Sequence, residues 1–384
     1  MKPALLATLE YAPQVGGIAE YLAAMVSQFP AGTIEVLAPE AAGAHKFDVE
    51  SAAPIYRRRL LAPRIKPAWA PAFAAVAKLL GRAEYSSIIV SHLLPMGVVA
   101  RTLSVAHRTP YVVIAHGMDA ALAMAAGGRK RAAAGHVLRR ASTVIANSSY
   151  TAGLVRAFGV APEKIQVAYP VPGSACAKAP SDDQVRAIRE RHRLEGAFVV
   201  VSIGRLVARK GFDLAIDAVS RLRRDGIPAK YVIVGDGPER QKLAKLVRET
   251  GAEDYVIIAG RVPAEELPAY HAAADVFVTA PRSLGPDVEG FGIVFLEANL
   301  YGRPTVGSRL GGVPEAVLDG QTGLLVNPDN PVELAAALRR LYADADLRRR
   351  LGERGRARVL AEFTAERQFG PVVRRLAEVH AEAA

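Results

Sequence analysis

The stretch Phe198–Gly211, FVVVSIGRLVARKG, opens with a nearly unbroken run of β-branched and apolar residues. Such a run reads as a strand covered on both faces, as parallel sheets require. A short basic loop follows at once, with Arg205 and Lys210 at its two ends, and a helical pattern comes next. In open α/β sheets the ligand lies beyond the carboxyl ends of strands, so both cations stand where a ligand would arrive. Together they suit a diphosphate, Arg as a planar fork and Lys as a point charge. The plain alternative is two solvated cations.

The same rhythm runs along the whole chain. The first half offers strands at PALLATLE, IEVLAP, SIIVSH, YVVIAHG, TVIANS and IQVAYP, and the second at FVVVSIGR, YVIVGDG, VIIAGR, DVFVTAP, PTVGS and GLLVNP. Strands alternating with helices predict an α/β fold of two doubly wound, Rossmann-like domains. PVPGSACAKAPSDD reads as the linker between them. The expected domains are residues 1–171 and 172–363.

With 384 residues, 51% hydrophobic and 23% charged, the chain is long enough for two ordinary cores and is not disordered. The opening MKPALLATLE carries no signal-peptide pattern, and no segment has the apolar length of a membrane span. A single cysteine, Cys176, excludes an internal disulfide and fits a reducing, cytoplasmic setting. The net charge of +11 favours anionic partners. Much of it falls in DADLRRRLGERGRARVL, which reads as a solvated helix face with its boundary at Asp344–Asp346. Ser148 or Ser149 is expected to cap the helix after NSS.

Three further loops carry unusual residues. Gly16 and Gly17 separate a strand from a helix, where free amides can receive a phosphate, although a tight turn alone would also call for them. In DVEGFGIVFLEANLYGRP, Asp287–Pro304, a helix is expected from Gly292 with Ile293, Leu296, Leu300 and Tyr301 on one buried stripe. Glu297 falls on that stripe and needs a partner, which a ribose diol or nearby backbone could supply. Glu289 precedes the helix, with Gly290 and Gly292 letting backbone approach a ligand. His116 in AHGMD ends a strand and is either a site residue or a satisfied core histidine. No H-E-x-x-H, Cys pair or close His/carboxylate cluster is present, so no protein-built transition-metal site is expected. Neither a Walker A loop nor a nucleophile elbow occurs.

Taken in this order, PQVGG, HG at His116, GRLVARKG and the glutamates Glu289 and Glu297 resemble the motifs of glycosyltransferase family 4, retaining enzymes of GT-B form. The resemblance implies two domains facing across a cleft, with the last helix, 364–384, returning to the first domain. It implies transfer of a hexosyl group from a nucleotide-diphosphate sugar to a lipid or glycan, without a cofactor. Glu289 would contact sugar hydroxyls, Glu297 the ribose, and Arg205 with Lys210 the diphosphate. Gly16 and Gly17 would meet the distal phosphate or the sugar, and His116 the sugar near its reacting face. Backbone at Arg261 and Val262 would face the base, and Phe291, Gly292 and Ile293 would line the donor. DVEGFG is similar to mannosyltransferases acting on phosphatidylinositol, which points to GDP-mannose. The chain departs from many relatives in carrying PVPGSACAKAP where they have Asn-Gly-Val-Asp.

Two rival readings stand beside this one. A nucleotide-sugar epimerase would use the same cleft with His116 and Asp119 as proton-transfer groups. A basic membrane-binding protein without catalysis would use YRRRLLAPRIKPAWAPAFAAVAKLLGR, either as a surface helix dipping Trp69 and Phe73 into anionic lipid at the inner face of the membrane or as a domain helix with a basic loop. No nucleic acid is expected as a partner.

Overall fold

The computed structural model describes residues 2–14 and 16–383, with backbone alone for 379–383. It divides into two compact units, Met1–Val171 with Thr364–Ala384, and Pro172–Phe363.

The first unit is built on a seven-stranded parallel sheet: β1 (Ala4–Ala7), β2 (Ile34–Ala38), β3 (Ile55–Arg57), β4 (Ser87–Ser91), β5 (Tyr111–Ala115), β6 (Thr143–Ala146) and β7 (Ile165–Val167). The order across the sheet is β3-β2-β1-β4-β5-β6-β7. Six of these strands are the expected runs. The seventh, β3, was not expected because its Ile55-Tyr56-Arg57 is short and half-buried, so it lacks an apolar run. Along β1 the side chains alternate between faces, as strand geometry demands. Leu5 and Ala7 join Val90, Val113 and Val76 on one side, while Ala4 and Leu6 join Ile89, Ile114 and Tyr21 on the other. The helix Ala365–Ala383 seals that second face with Phe369, Val372 and Leu376. Trp69 and Phe73 are half-buried against the first core, and the helix Ala70–Leu80 buries Ala72, Val76, Leu79 and Leu80. That places the two rings on protein rather than lipid and makes this an ordinary domain helix behind a basic loop.

The second unit carries β8 (Phe198–Ile203), β9 (Ala229–Val234), β10 (Val256–Gly260), β11 (Val276–Val278), β12 (Thr305–Ser308) and β13 (Gly323–Val326), ordered β10-β9-β8-β11-β12-β13. All six residues of β8 are buried, because it lies centrally with helices on both faces. In both sheets the strand order reverses beside the first strand, between β1 and β4 and between β8 and β11. A crevice opens at such a point because neighbouring loops leave on opposite faces.

Helix ends follow the local chemistry. Ser148 caps Ser149–Arg156 by accepting from the Thr151 amide, and Asp344 starts Ala345–Glu362 by accepting from the Leu347 amide. The loop carrying Glu289 is held from behind by Gly311–Gly312. The Gly312 amide donates to the Glu289 carbonyl at 3.0 Å, and a Cβ on Gly312 would stand 2.0 Å from the Gly290 carbonyl oxygen. Gly312→Ala must therefore push the two loops apart, at about 1–3 kcal/mol. A lowered urea midpoint for this variant is the expected result, and an unchanged midpoint would mean that the contact is not tight.

Candidate active site

The loop after β8 forms a 3₁₀ turn, Ala208–Lys210, that ends at Gly211 with φ 68°. This turn carries Arg209 and Lys210 toward the loop after β11, and the Arg282 amide donates to the Arg209 carbonyl at 2.8 Å. Glu289 meets both cations: its Oε2 lies 2.6 Å from Lys210 Nζ and 2.6 Å from Arg209 Nη1. Arg209 Nε also reaches Asp287 at 3.0 Å. Lys210 is only 9% exposed, so its charge survives only with a partner. Burial alone would raise the Glu289 carboxyl, but the Lys210 and Arg209 cations overcome it and hold the group down to about 2. Burial likewise pushes Arg209 down, while Glu289 and Asp287 more than restore it.

The sequence had paired Lys210 with Arg205. Arg205 is exposed and takes no part in these ion pairs; the second cation is the half-buried Arg209, next to Lys210 in sequence. The 3₁₀ turn brings adjacent residues 209 and 210 to one carboxylate. Two cations and two carboxylates thus balance in the cluster, leaving Arg205 as a further positive charge in the same loop. Arg261 and Val262 follow β10, at the sheet edge two strands from β8, with Arg261 exposed.

The helix Ile293–Leu300 begins at Gly292, whose φ of 97° favours glycine, and no side chain caps it. Its buried residues are Phe295, Leu296, Ala298 and Asn299, with Ile293, Leu300 and Tyr301 only partly covered. The stripe expected along Ile293, Leu300 and Tyr301 is thus rotated. Phe295 packs edge-on to Phe277 at 5.9 Å, and Asn299 donates to the Arg303 and Thr322 carbonyls. Phe291 is buried at 2% exposure before the helix. Glu297 is turned toward the N-terminal segment of this unit. Its Oε1 accepts from the Gly173 amide at 3.2 Å, and its Oε2 lies 3.8 Å from Nε2 of His271. Cys176, His271 and Glu297 offer ligand-type atoms all within 4.8 Å of one another. No such cluster was expected, since the three residues are scattered along the sequence and only the packing of Leu267–Ala273 beside Ser174–Ala177 collects them.

In the first unit, Gly16 caps the helix Gly17–Val26, and its carbonyl accepts from the Glu20 amide at 3.0 Å. A Cβ on Gly16 would be 3.8 Å from Oε2 of Glu10, so a carboxylate borders this helix start. Glu10 reaches Nε2 of His92 at 3.4 Å, and the His92 and His116 rings lie 6.4 Å apart. His116 closes β5, with Nε2 hydrogen-bonded to Ser91 Oγ at 2.8 Å and its ring edge-on to Tyr21 at 5.4 Å. Burial, helped by neighbouring His92, pushes His116 down to about 3, so the imidazole is neutral. Asp119 accepts from the Leu93, His116 and Ala120 amides, while burial pushes its carboxyl above the usual range. Glu10, His92 and Ser91 escaped the sequence reading; a second histidine at a strand end, in SIIVSH, was the available signal.

Comparison with known proteins agrees with this geometry. Residues 16–170 match the model of the glycosyl transferase 4-like domain, and residues 184–358 that of glycosyl transferases group 1. A Mycobacterium tuberculosis GDP-mannose-dependent α-(1-6)-phosphatidylinositol monomannoside mannosyltransferase is 33% identical over 94% of this chain and 95% of its own. The Mycolicibacterium smegmatis protein of the same description is 34% identical over 92% of each chain. Among solved structures, Anabaena HepE in complex with UDP has TM-score 0.82 at 22% identity, covering 98% of this chain and 100% of that one. With both halves matched and a third of the residues shared along nearly the whole length, the chain belongs to glycosyltransferase family 4, the retaining GT-B enzymes that move a sugar from a nucleotide diphosphate to an acceptor.

Proposed function

We propose that the enzyme transfers a mannosyl group from GDP-mannose to a hydroxyl of a phosphoinositol-type lipid, with residues 172–363 binding the donor and residues 1–171 the acceptor. The names of the mycobacterial relatives support this choice of donor and acceptor. The observation that carries the donor site is the cluster of Lys210, Arg209 and Glu289 at the carboxyl ends of β8 and β11. Glu289 holds the two cations in place at the strand ends before any ligand arrives. The diphosphate then takes its place against Lys210, Arg209 and Arg205, and the uncapped amides of Gly292 and Ile293 add their partial charge. Glu289 is left to grip sugar hydroxyls and Glu297 to accept from the ribose.

The leaving diphosphate develops negative charge as the glycosidic bond breaks, and these cations stabilise it, Lys210 from a buried position where water screens it least. The diphosphate itself takes the acceptor's proton on the face it leaves. Turnover in this reading needs no divalent metal. Neutral His116, oriented by Ser91, hydrogen-bonds the transferred sugar rather than attacking it. Glu10 beside Gly16 favours sugar hydroxyls over phosphate at that helix start.

The acceptor reading rests on segment 58–67. Arg58, Arg59, Arg64 and Lys66 are exposed, and Leu61 and Ile65 are 41% and 50% exposed. Beside them is a cavity of about 370 Å³ lined by Leu9, Pro39, Glu40, Arg59, Leu60 and Leu61. Cations interleaved with apolar side chains suit an anionic lipid headgroup and the start of its acyl chains. No helix among the described residues is long and apolar enough to cross a membrane.

A thermal-shift series with GDP-mannose, UDP-glucose and ADP-glucose tests the donor. GDP-mannose at 100 times its dissociation constant should stabilise the protein by about 2.7 kcal/mol. Mannose transfer to phosphatidylinositol-mannoside vesicles should continue in chelator. Preference for UDP-glucose would overturn the donor assignment, and turnover abolished by chelator and restored by magnesium would overturn metal-free catalysis.

The cations separate by variant. Arg205→Ala should weaken GDP binding without moving the melting temperature, because Arg205 is exposed. Lys210→Ala should weaken it about tenfold or more and also destabilise the protein, since Glu289 loses a buried partner. Calorimetric GDP titration with a melting curve reads both; unchanged affinity in both variants would refute the phosphate assignment.

A further inference from the structure

We propose that Cys176, His271 and Glu297 form a binding site for one divalent cation of the zinc class. His271 is 1% exposed, and neither ring nitrogen has a hydrogen-bond partner. A buried polar group left unpaired in this way carries a penalty that a bound ligand would relieve. Its Nε2 points at Glu297 Oε2, 3.8 Å away. Thiolate, imidazole and carboxylate are the donor set that zinc takes, commonly with a water in the fourth position. At zinc bond lengths, tetrahedral nitrogen and oxygen donors stand about 3.4 Å apart. Donor atoms already within 4.8 Å of one another therefore need little movement to close on a cation.

The surroundings hold these donors in place. The Tyr301 ring stacks on His271 at 5.9 Å, and its hydroxyl donates to the Cys176 carbonyl at 2.8 Å, so one side chain braces two of the ligands. The Gly173 amide fixes the other Glu297 oxygen. Binding would form metal bonds to sulfur, nitrogen and oxygen and release the Cys176 thiol proton to solvent. The consequence rests on the reading of Glu297 as ribose partner: a cation there withdraws that carboxylate, so zinc opposes donor binding instead of serving catalysis.

Cobalt(II) titrated into the full chain tests the site. Cys176 is the only cysteine, so any thiolate-to-cobalt charge-transfer band reports this position. The band should saturate at one equivalent, vanish in Cys176→Ser, and need at least about tenfold more cobalt in His271→Gln, since even outer-shell changes cost that much. No band with the folded wild-type chain, or a band indifferent to His271→Gln, would overturn the site. At equal free zinc, GDP affinity should fall in the wild type and hold in Cys176→Ser; an equal fall in both would overturn the competition. The ribose role is read separately: if Glu297→Gln leaves metal-free GDP affinity unchanged, that reading fails while the cobalt band still stands.

Discussion

A buried lysine can stay charged only if a carboxylate is buried with it, and the pairing of Lys210 with Glu289 meets that condition at the most consequential point of the second unit. Removing two charges from water is costly, and a pair of this kind adds little net stability. Its value is positional. Arg209 and Lys210 are held at the end of β8, where the proposed diphosphate would meet them. The pair also has a pH limit. Glu289 is depressed from 4.5 to about 2, so its contribution to stability is fully present above pH 4.5 and is lost as the pH falls toward 2.

That pairing depends on the scaffold in ordinary ways. The reversal of strand order between β8 and β11 brings the loops of Lys210 and Glu289 side by side, although 79 positions separate them in sequence. Gly211 and Gly312 allow backbone to approach where a Cβ would meet a carbonyl at 2.0 Å in each case. The first unit repeats the arrangement with different chemistry. Its strand-end groups are the neutral His116, with Ser91, His92 and Glu10.

The fold was largely legible because parallel strands buried on both faces leave long apolar runs, as in Phe198–Ile203, and because loops follow those runs directly. Ile55–Arg57 escaped because an edge strand needs no such run. Lys210, Glu289 and His116 could be singled out by type and place. Arg209 could not be told from Arg205, since which cation of a short basic loop turns inward is decided by a 3₁₀ turn, not by spacing. Glu297 accepts from the Gly173 amide and lies near His271, neighbours that come from packing between distant segments. Long-range pairing of this kind leaves no periodic trace in a sequence.

At the centre of the proposed mechanism, cations steady the leaving diphosphate while the acceptor attacks from the face it leaves, so that the donor's anomeric configuration is retained. In the proposed complex Glu289 and Glu297 are given to sugar and ribose hydroxyls, and Asp119 is bound by three amides, so no carboxylate is assigned as a nucleophile. The most direct measurement is the anomeric one-bond carbon–hydrogen coupling of the product made from an α-linked nucleotide sugar. The account predicts an α-linked product; a β-linked product would contradict it.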